Sequence, residues 1–311
     1  MLGRAVTLVE SRRKDHQEQA QELLQSVLPH TGNSIRVGIS GVPGVGKSTF
    51  IESFGLNLID LGQQVAVLAV DPTSERTGGS ILGDKTRMQK LSVNPSAFIR
   101  PSPSSGMLGG VNQLTRESIL LCEAAGFDTI LVETVGIGQS ETQVSSMVDF
   151  FLILMLPGAG DDLQGIKRGV MEVADMIVIN KADGNNAQSA QAAKNDYSHA
   201  IKVLTPQQTD WQPPVVTCSA LHNQGLSDVW QQILRYRSMR EASGEFEQNR
   251  QQQRQQWLRS TIEQTLLSDF FQHPDVIARQ QVINEQLAAG DITPTEGARE
   301  LIAIFRNQQN Q

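Results

Sequence analysis

The stretch with the clearest chemistry is GVPGVGKS at residues 41–48, which matches the phosphate-binding pattern GxxxxGK[ST] in full. Such a loop turns backbone N–H groups toward a β-phosphate, and the helix that follows adds the positive end of its dipole. Lys47 can reach the β- and γ-phosphates, Ser48 can bind Mg²⁺ and Thr49 can contact the α-phosphate. The residues predicted to hold the phosphates are Gly41, Val42, Pro43, Gly44, Val45, Gly46, Lys47, Ser48 and Thr49.

A second polar stretch, NKAD at residues 180–183, follows the apolar run DMIVI and indicates which base accompanies the phosphates. Asp183 can accept hydrogen bonds from N1–H and from the N2 amine of guanine, whereas adenine offers neither donor. A site built around such a carboxylate can reject the other purine by roughly 10⁴-fold. Asn180 can contact the Hoogsteen edge of the base, and the stem of Lys181 can lie along the plane of the base.

The segment CSAL at residues 218–221 follows the last apolar run and would complete the base site. The backbone N–H of Ala220 can donate to guanine O6, and Ser219 and Leu221 flank that group. Taken alone, NKAD is weak evidence, because a polar turn after a strand has a similar composition. With the phosphate loop before it and CSAL after it, the order of the three stretches favours GTP over ATP.

The stretch LVETVGIGQSE at residues 131–141 predicts a buried strand that runs into a glycine turn, where nucleotide switches sense the γ-phosphate. Glu133 stands where many GTPases have Asp. Ile137 follows Gly136 at a position where many GTPases have a Gln that orients water. The stretch therefore raises the question of how fast this chain can hydrolyse a triphosphate.

Two charged loops follow other apolar runs, VDPTSERTGGSILGDKTRM at residues 70–88 and PGAGDDLQGIKRG at residues 157–169. Asp71 comes directly after a strand, and open α/β sheets bind their ligands at the carboxyl ends of strands. We therefore predict that the first of these loops borders the ligand.

Seven short apolar runs must position these loops, and stretches with helical spacing separate several of them. Most runs are continuously apolar, which is typical of strands buried on both faces of a parallel sheet. The pattern predicts an α/β fold of the P-loop NTPase type, with a mainly parallel sheet flanked by helices. We predict an N-terminal helical extension over 1–33, a nucleotide-binding domain over 34–240 and a C-terminal helical arm over 241–311. Within that arm, the low-complexity run EQNRQQQRQQ at 247–256 could be a linker, but Gln and Arg are good helix formers and favour a helix with a solvated face.

The charge, the apolar runs and the cysteines of the chain limit the kinds of partner and the cellular location that we expect. A net charge of −7 over 311 residues disfavours nucleic-acid binding. No run reaches the ~18 apolar residues that span a bilayer, so we expect no membrane partner. Cys122 and Cys218 are far apart and lack the spacing of a zinc site or a disulfide framework. These features predict a cytoplasmic protein with reduced thiols.

Together, GVPGVGKS, the 70–88 loop, ETVGIGQSE, PGAGDDLQGIK and NKAD resemble the MeaB/ArgK family of G-proteins, within the G3E group of P-loop metallochaperone GTPases. The resemblance covers essentially the whole chain. It implies a GTPase that converts GTP and water to GDP and phosphate with Mg²⁺ as cofactor. It also implies a chaperone of adenosylcobalamin-dependent methylmalonyl-CoA mutase, which forms a homodimer through the C-terminal helices.

The resemblance further assigns roles by position. Asp84 would be a magnesium ligand from the first switch, and Asp71 would lie near the metal or the attacking water. Glu133 would hold the metal through water, and Gly136 would sense the γ-phosphate. Asp161 and Lys167 would be the moving charges of an additional switch. The implied catalytic set is Lys47, Asp71, Asp84 and Glu133, and the implied metal set is Ser48, Asp84 and Glu133.

Hydrolysis needs a group that orients water and a positive charge that meets the developing negative charge. Ile137 supplies neither, and Gln139 is displaced by two positions. Val42 stands where some dimeric P-loop ATPases have an additional Lys. We therefore expect slow hydrolysis by the isolated chain, and a partner that orders the loops at 71–87 and 157–169.

A different class of function stays open. Older descriptions of similar sequences read arginine/ornithine transport system kinase, and a phosphotransferase would use GTP or ATP on a protein or an amino acid. Such an enzyme needs a base beside the acceptor hydroxyl, for which Asp71 is a candidate, and a second pocket. NKAD argues for a switch rather than a kinase.

Overall fold

The computed structural model describes residues 1–11, 13–70, 88–101, 110–134, 140–158, 171–204 and 210–308. Seven strands form one sheet in the order β3-β2-β4-β1-β5-β6-β7, and every pairing is parallel. The strands are β1 (Ile35–Gly41), β2 (Val65–Val70), β3 (Ala97–Arg100), β4 (Thr129–Thr134), β5 (Phe150–Met155), β6 (Met176–Ile179) and β7 (Val215–Thr217). The predicted α/β fold with a parallel sheet is confirmed.

The central strands are buried on both faces, as their continuous apolar runs predict. Along β5, Phe150, Leu152 and Leu154 belong to one core, whereas the alternate residues Phe151 and Ile153 belong to the other. A strand with period two can supply both cores only if each face is covered by helices. The sheet is therefore packed on both faces, and the loops that follow its strands lie at its carboxyl edge.

The described residues form eleven α-helices, some of which cover the two faces of this sheet. The helices are α1 (Leu2–Val9), α2 (Lys14–Val27), α3 (Lys47–Asp60), α4 (Gln89–Ser92), α5 (Gly110–Ala124), α6 (Ser140–Ser145), α7 (Ala187–Leu204), α8 (Leu226–Ser243), α9 (Glu245–Gln272), α10 (Pro274–Ala289) and α11 (Pro294–Gln308). Residues from α3 and α8 pack in the core on one face, and residues from α5 and α7 pack in the core on the other. Helices α1 and α2 pack against α5 through a smaller apolar cluster.

The chain divides into two compact units, Met1–Gln253 and Arg254–Gln311. The second unit has its own apolar cluster, in which Val276, Ile283 and Leu301 are buried. The division between the two units falls within α9. The domain boundaries predicted at 33/34 and 240/241 stay predictions. Among the described residues, none of the helices combines the length and the apolar character needed to cross a bilayer.

The amino edge of the sheet is held by buried charges. Arg250 of α9 donates from Nε and from a terminal nitrogen to Asp149, which precedes β5, at 2.7 Å each. The same guanidinium donates to the carbonyl oxygens of Gly32 and Ser34 at 2.6 Å. Gln253 of the same helix donates to the carbonyl oxygen of Val148. The prediction of a solvated face for 247–256 was therefore wrong for Arg250 and Gln253, which are buried because their partners lie under the sheet edge.

A cavity of about 410 Å³ also lies at this amino edge, where Asp175, Tyr236 and Arg240 are among its lining residues. Asp175 precedes β6, and its carboxylate accepts a hydrogen bond from the backbone N–H of Phe151 at 2.8 Å. Burial raises the pKa of Asp175 to about 6, although bonds from Phe151 and Tyr236 and the charge of Arg240 oppose the rise. The carboxyl group therefore titrates near neutral pH.

This pKa predicts a pH-dependent effect of Asp175→Asn on stability. The folded pKa of about 6 exceeds the ordinary value of 3.8, so the folded chain binds the extra proton between these values and wild-type stability falls as pH rises through the window. The variant should match wild type near pH 4 and exceed it at pH 8. The gain is at most about 3 kcal/mol, and smaller where water in the cavity screens the charge. Urea unfolding at both pH values measures it.

The matched control for this prediction is Asp196→Asn, which changes an exposed carboxylate on α7. That variant should show the same difference from wild type at both pH values. A stability difference for Asp175→Asn that does not change between pH 4 and pH 8 would contradict the assignment.

Candidate functional site

The phosphate loop joins the carboxyl end of β1 to the first residue of α3, at the centre of the sheet. Gly46 precedes the helix with φ of 91°, and an added Cβ would lie 3.1 Å from the side-chain nitrogen of Asn180. Val45 is fully buried in the core and anchors the middle of the loop. The left-handed backbone and the close approach of Asn180 therefore require glycine at position 46. The first backbone N–H groups after Gly46 lie at the N-terminus of α3, where they have no partner within the helix.

The side chain of Lys47 folds back over the phosphate loop. Its Nζ donates to the carbonyl oxygen of Gly41 at 2.8 Å. Burial lowers the pKa of Lys47, while the charges of Glu133 and Glu141 partly oppose that shift. The two carboxylates therefore face the same ammonium group from the strand β4 and from the first turn of α6. The ammonium group can exchange its hydrogen bond to the carbonyl oxygen for one to a phosphate. Because the side chain is already partly buried, this exchange needs no new desolvation of it.

Glu141 lies close enough for its charge to act on Lys47, although none of the sequence motifs assigns it a role. It lies in the first turn of α6 and its residue is fully buried. Glu133 lies near the end of β4 and is 5% exposed. An acidic residue in the first turn of a helix that follows a glycine turn was the available signal. Its burial beside Lys47 could not be read from that signal.

Asn180 joins the phosphate loop to residues 218–224, which we call the base loop because they contain the predicted guanine contact. Its amide nitrogen donates to the carbonyl oxygen of Val45 at 2.8 Å, and its amide oxygen accepts from the backbone N–H of Ala220 at 3.1 Å. The residue is 2% exposed. The side chain predicted to contact the base edge thus also fixes the relative positions of two loops that are 135 and 40 residues away in sequence.

The rest of NKAD lies against the same loops. Lys181 has a left-handed backbone with φ of 59°, and its Nζ donates to the carbonyl oxygen of Gly44 at 2.7 Å. Non-glycine residues seldom adopt this conformation, and they do so where surrounding contacts fix it. The carboxylate of Asp183 accepts a short hydrogen bond from the hydroxyl of Ser219. Asp183 and Ser219 are therefore brought together, as the order of their motifs predicts.

The base loop closes on itself. Ser219 and Gln224 exchange backbone hydrogen bonds of 3.0 Å in each direction. Ala220 is buried, whereas the side chain of Leu221 is exposed. Among the three residues predicted here, Ser219 and Ala220 lie inside the site, and Leu221 can contribute its backbone only.

Ser48 and Glu133 could hold a magnesium ion. Ser48 is partly buried in the first turn of α3, and Glu133 is a buried carboxylate at the same sheet edge. A hydroxyl and a carboxylate are oxygen donors that Mg²⁺ accepts, and the ion usually keeps several waters rather than requiring a protein cage. The donor set therefore fits the ion. No group of three or more His, Cys, Asp or Glu forms a metal-binding cluster among the described residues.

Several predicted site residues lie outside the described residues, namely Asp71, Asp84, Gly136, Asp161 and Lys167. Within the described ranges, Val42 is partly buried, and Pro43, Gly44 and Thr49 are exposed. Their roles toward a nucleotide stay predictions. The two free cysteines are buried, and burial raises the pKa of each thiol to about 12, so neither is a nucleophile here.

Known proteins resemble the chain over nearly its full length. GTPase ArgK of Escherichia coli is 49% identical over 307 residues, which are 99% of this chain and 93% of that protein. The mouse protein named methylmalonic aciduria type A homolog, mitochondrial, is 43% identical over 99% of this chain and 76% of its own length. A crystal structure described as LAO/AO transport system kinase superposes with a TM-score of 0.77 at 42% identity, over 98% of this chain and 92% of the other.

The sequence profile of the family described as methylmalonyl Co-A mutase-associated GTPase MeaB matches residues 2–275. This match includes the phosphate loop, NKAD and the base loop, which the structure assembles at one edge of the sheet. The chain therefore belongs to the MeaB family of GTPases.

Proposed function

We propose that this GTPase is a chaperone of adenosylcobalamin-dependent methylmalonyl-CoA mutase, and that GTP controls when it permits loading, protection or reactivation of the mutase cofactor. The family description supports the partner, since it names a mutase-associated GTPase. The observation that carries the proposal is Asn180, whose side chain links the phosphate loop to the base loop. A change at the phosphates can thereby reach the base site and the loops around it.

Within this proposal, Lys47 and the N–H groups at the start of α3 hold the β- and γ-phosphates, and Asp183 selects guanine. Ser48 and Asp84 would bind Mg²⁺ and Glu133 would hold it through water, and the ion would neutralise phosphate charge. The backbone N–H of Ala220, which donates to Asn180, is shared with or transferred to guanine O6. GTP and GDP differ at the γ-phosphate, so the difference acts first on Lys47 and its two neighbouring carboxylates.

The isolated chain hydrolyses GTP slowly under this proposal, because Ile137 cannot orient water. The mutase then acts on the loops that border the phosphates and completes the catalytic arrangement. Slow turnover suits a timer, in which the nucleotide state reports whether the partner has finished its step. A kinase would instead transfer phosphate to an acceptor other than water.

The C-terminal arm forms a homodimer under this proposal. On α9, Leu258, Ile262 and Leu266 recur at intervals of four residues and are 64%, 50% and 54% exposed. Residues at this spacing share one face of a helix, and exposed apolar faces of this kind mark contacts between proteins. The net charge of −7 supports a partner other than nucleic acid. Two buried free thiols support a location in a reducing compartment such as the cytoplasm.

The test is GTP turnover by the purified chain with and without the purified mutase. We expect about 10⁻³ to 10⁻² s⁻¹ for the chain alone, and an increase of at least about tenfold with saturating mutase. Lys47→Ala should remove turnover in both conditions. Asp196→Asn should leave both rates unchanged, since its carboxylate is exposed on α7.

Fast turnover by the isolated chain that does not respond to the mutase would contradict the proposal. Radiolabelled γ-phosphate that appears on a protein or an amino acid, rather than as inorganic phosphate, would instead favour the kinase alternative.

A further inference from the structure

Helix α3 carries a second set of contacts besides the phosphate loop at its start. Ser53 donates from its hydroxyl to the carbonyl oxygen of Ala220 at 2.7 Å. One turn later, Asn57 donates from its amide to Asn223 at 2.7 Å, and Asn223 donates back to Asn57 at 3.0 Å. Residues four apart share one helix face, so both contacts meet the base loop from the same side.

The base loop is shaped to receive these contacts. Asn223 has a left-handed backbone with φ of 54°, a conformation that Asn adopts more readily than most residues. Gly225 has φ of 74°, and an added Cβ would lie 2.6 Å from the carbonyl oxygen of Thr217. Backbone hydrogen bonds between Ser219 and Gln224 close the turn that contains Asn223. The side-chain amide of Asn223 is therefore held by a left-handed turn that the Ser219–Gln224 backbone pair closes.

We propose that Ser53, Asn57 and Asn223 form a brace that positions the backbone N–H of Ala220 for guanine, so that these residues set base affinity without touching the nucleotide. Asn180 contacts the N–H of Ala220, whereas Ser53 contacts the carbonyl oxygen of the same residue. Ala220 is thus held from both sides of its backbone. The inference rests on the proposed guanine contact at Ala220 and adds three positioning residues to it.

The Asn57–Asn223 pair is exposed to solvent, and an exposed neutral hydrogen bond adds little to the stability of the fold. Its effect is expected instead on the loop that it orients, since binding a base needs the donor in place beforehand. The phosphate loop precedes α3 and is held by the burial of Val45 and by the Asn180 amide nitrogen, which donates to Val45. The brace should therefore act on recognition of the base and leave recognition of phosphate unchanged.

The experiment measures the dissociation constants of GDP and of inorganic triphosphate for the full chain by calorimetry. Asn57→Ala and Asn223→Gly, which suits the left-handed backbone, should each weaken GDP binding by about fivefold. Inorganic triphosphate, which has no base, should bind within about twofold of wild type. The double variant should be no weaker than either single variant, because each change already removes the same pair of bonds. Ser53→Ala should show the same selectivity for GDP.

The matched control is Asn195→Ala, which removes an exposed amide from the Gln191–Asn195 pair on α7 and should change neither constant. Equal weakening of GDP and triphosphate, unchanged GDP binding, or additive effects in the double variant would overturn the brace. Wild-type protein that binds triphosphate but not GDP would instead overturn the proposed guanine contact itself.

Discussion

Replacing Asp183 by Asn should weaken GDP and GTP binding by about 10²- to 10³-fold. The carboxylate can accept from both N1–H and the N2 amine of guanine, whereas the Asn amide keeps one acceptor and turns its NH₂ group toward the amine. Two donors then face each other, and a hydrogen bond is lost as well. Calorimetric titration of wild type and variant with GDP measures the change.

The same substitution should improve binding of xanthosine diphosphate, because xanthine has a carbonyl oxygen where guanine has the N2 amine. Inorganic triphosphate should bind equally to wild type and variant, since the phosphate loop is unchanged. Asp196→Asn serves as the control because that exposed carboxylate lies on α7, outside the motif. If the variant bound GDP as tightly as wild type, Asp183 would not be the residue that recognises the base.

The largest expected effect on folding is that of Arg250→Ala, which should lower the free energy of unfolding by about 3–5 kcal/mol. The guanidinium pairs with Asp149 through two bonds, and the side chains are 3% and 2% exposed. Its removal leaves a buried carboxylate without that partner and takes one donor from each of the carbonyl oxygens of Gly32 and Ser34. Urea unfolding at constant pH and salt measures the loss.

Arg259→Ala is a matched control in the same helix. Arg259 pairs with Glu263 at 2.9 Å, but its side chain is 84% exposed, so its loss should cost less than about 1 kcal/mol. Arg250→Lys should fall between the two, because an ammonium keeps the charge and cannot reproduce the planar pair of bonds. Similar losses for the 250 and 259 variants would contradict the importance assigned to burial.

The difference between these two arginines illustrates what the sequence could not reveal. Both lie on a polar helix, and the Gln- and Arg-rich run at 247–256 predicts helix correctly. The composition of the helix does not indicate which of the two arginines binds a buried carboxylate 101 residues earlier in the chain. Burial of that kind depends on tertiary contacts, which periodicity does not encode.

The sheet and the motif context were predictable for a physical reason. Short, continuously apolar runs are typical of strands in a sheet covered on both faces, and the structure has such a sheet. The relation between loops was not predictable in the same way. The motif predicts that Asn180 contacts the base, whereas its amide also binds the backbone of Val45 and of Ala220. No motif predicts the burial of Glu141. These contacts join segments that only the folded sheet brings together.

The measurement that tests the account most directly is a calorimetric titration of the wild-type chain with GDP and with ADP at the same Mg²⁺ concentration. Guanine selection by Asp183 predicts that GDP binds at least about 10³-fold more tightly than ADP. Equal affinities for the two nucleotides would contradict guanine selection, and with it the switch on which the proposed chaperone function depends.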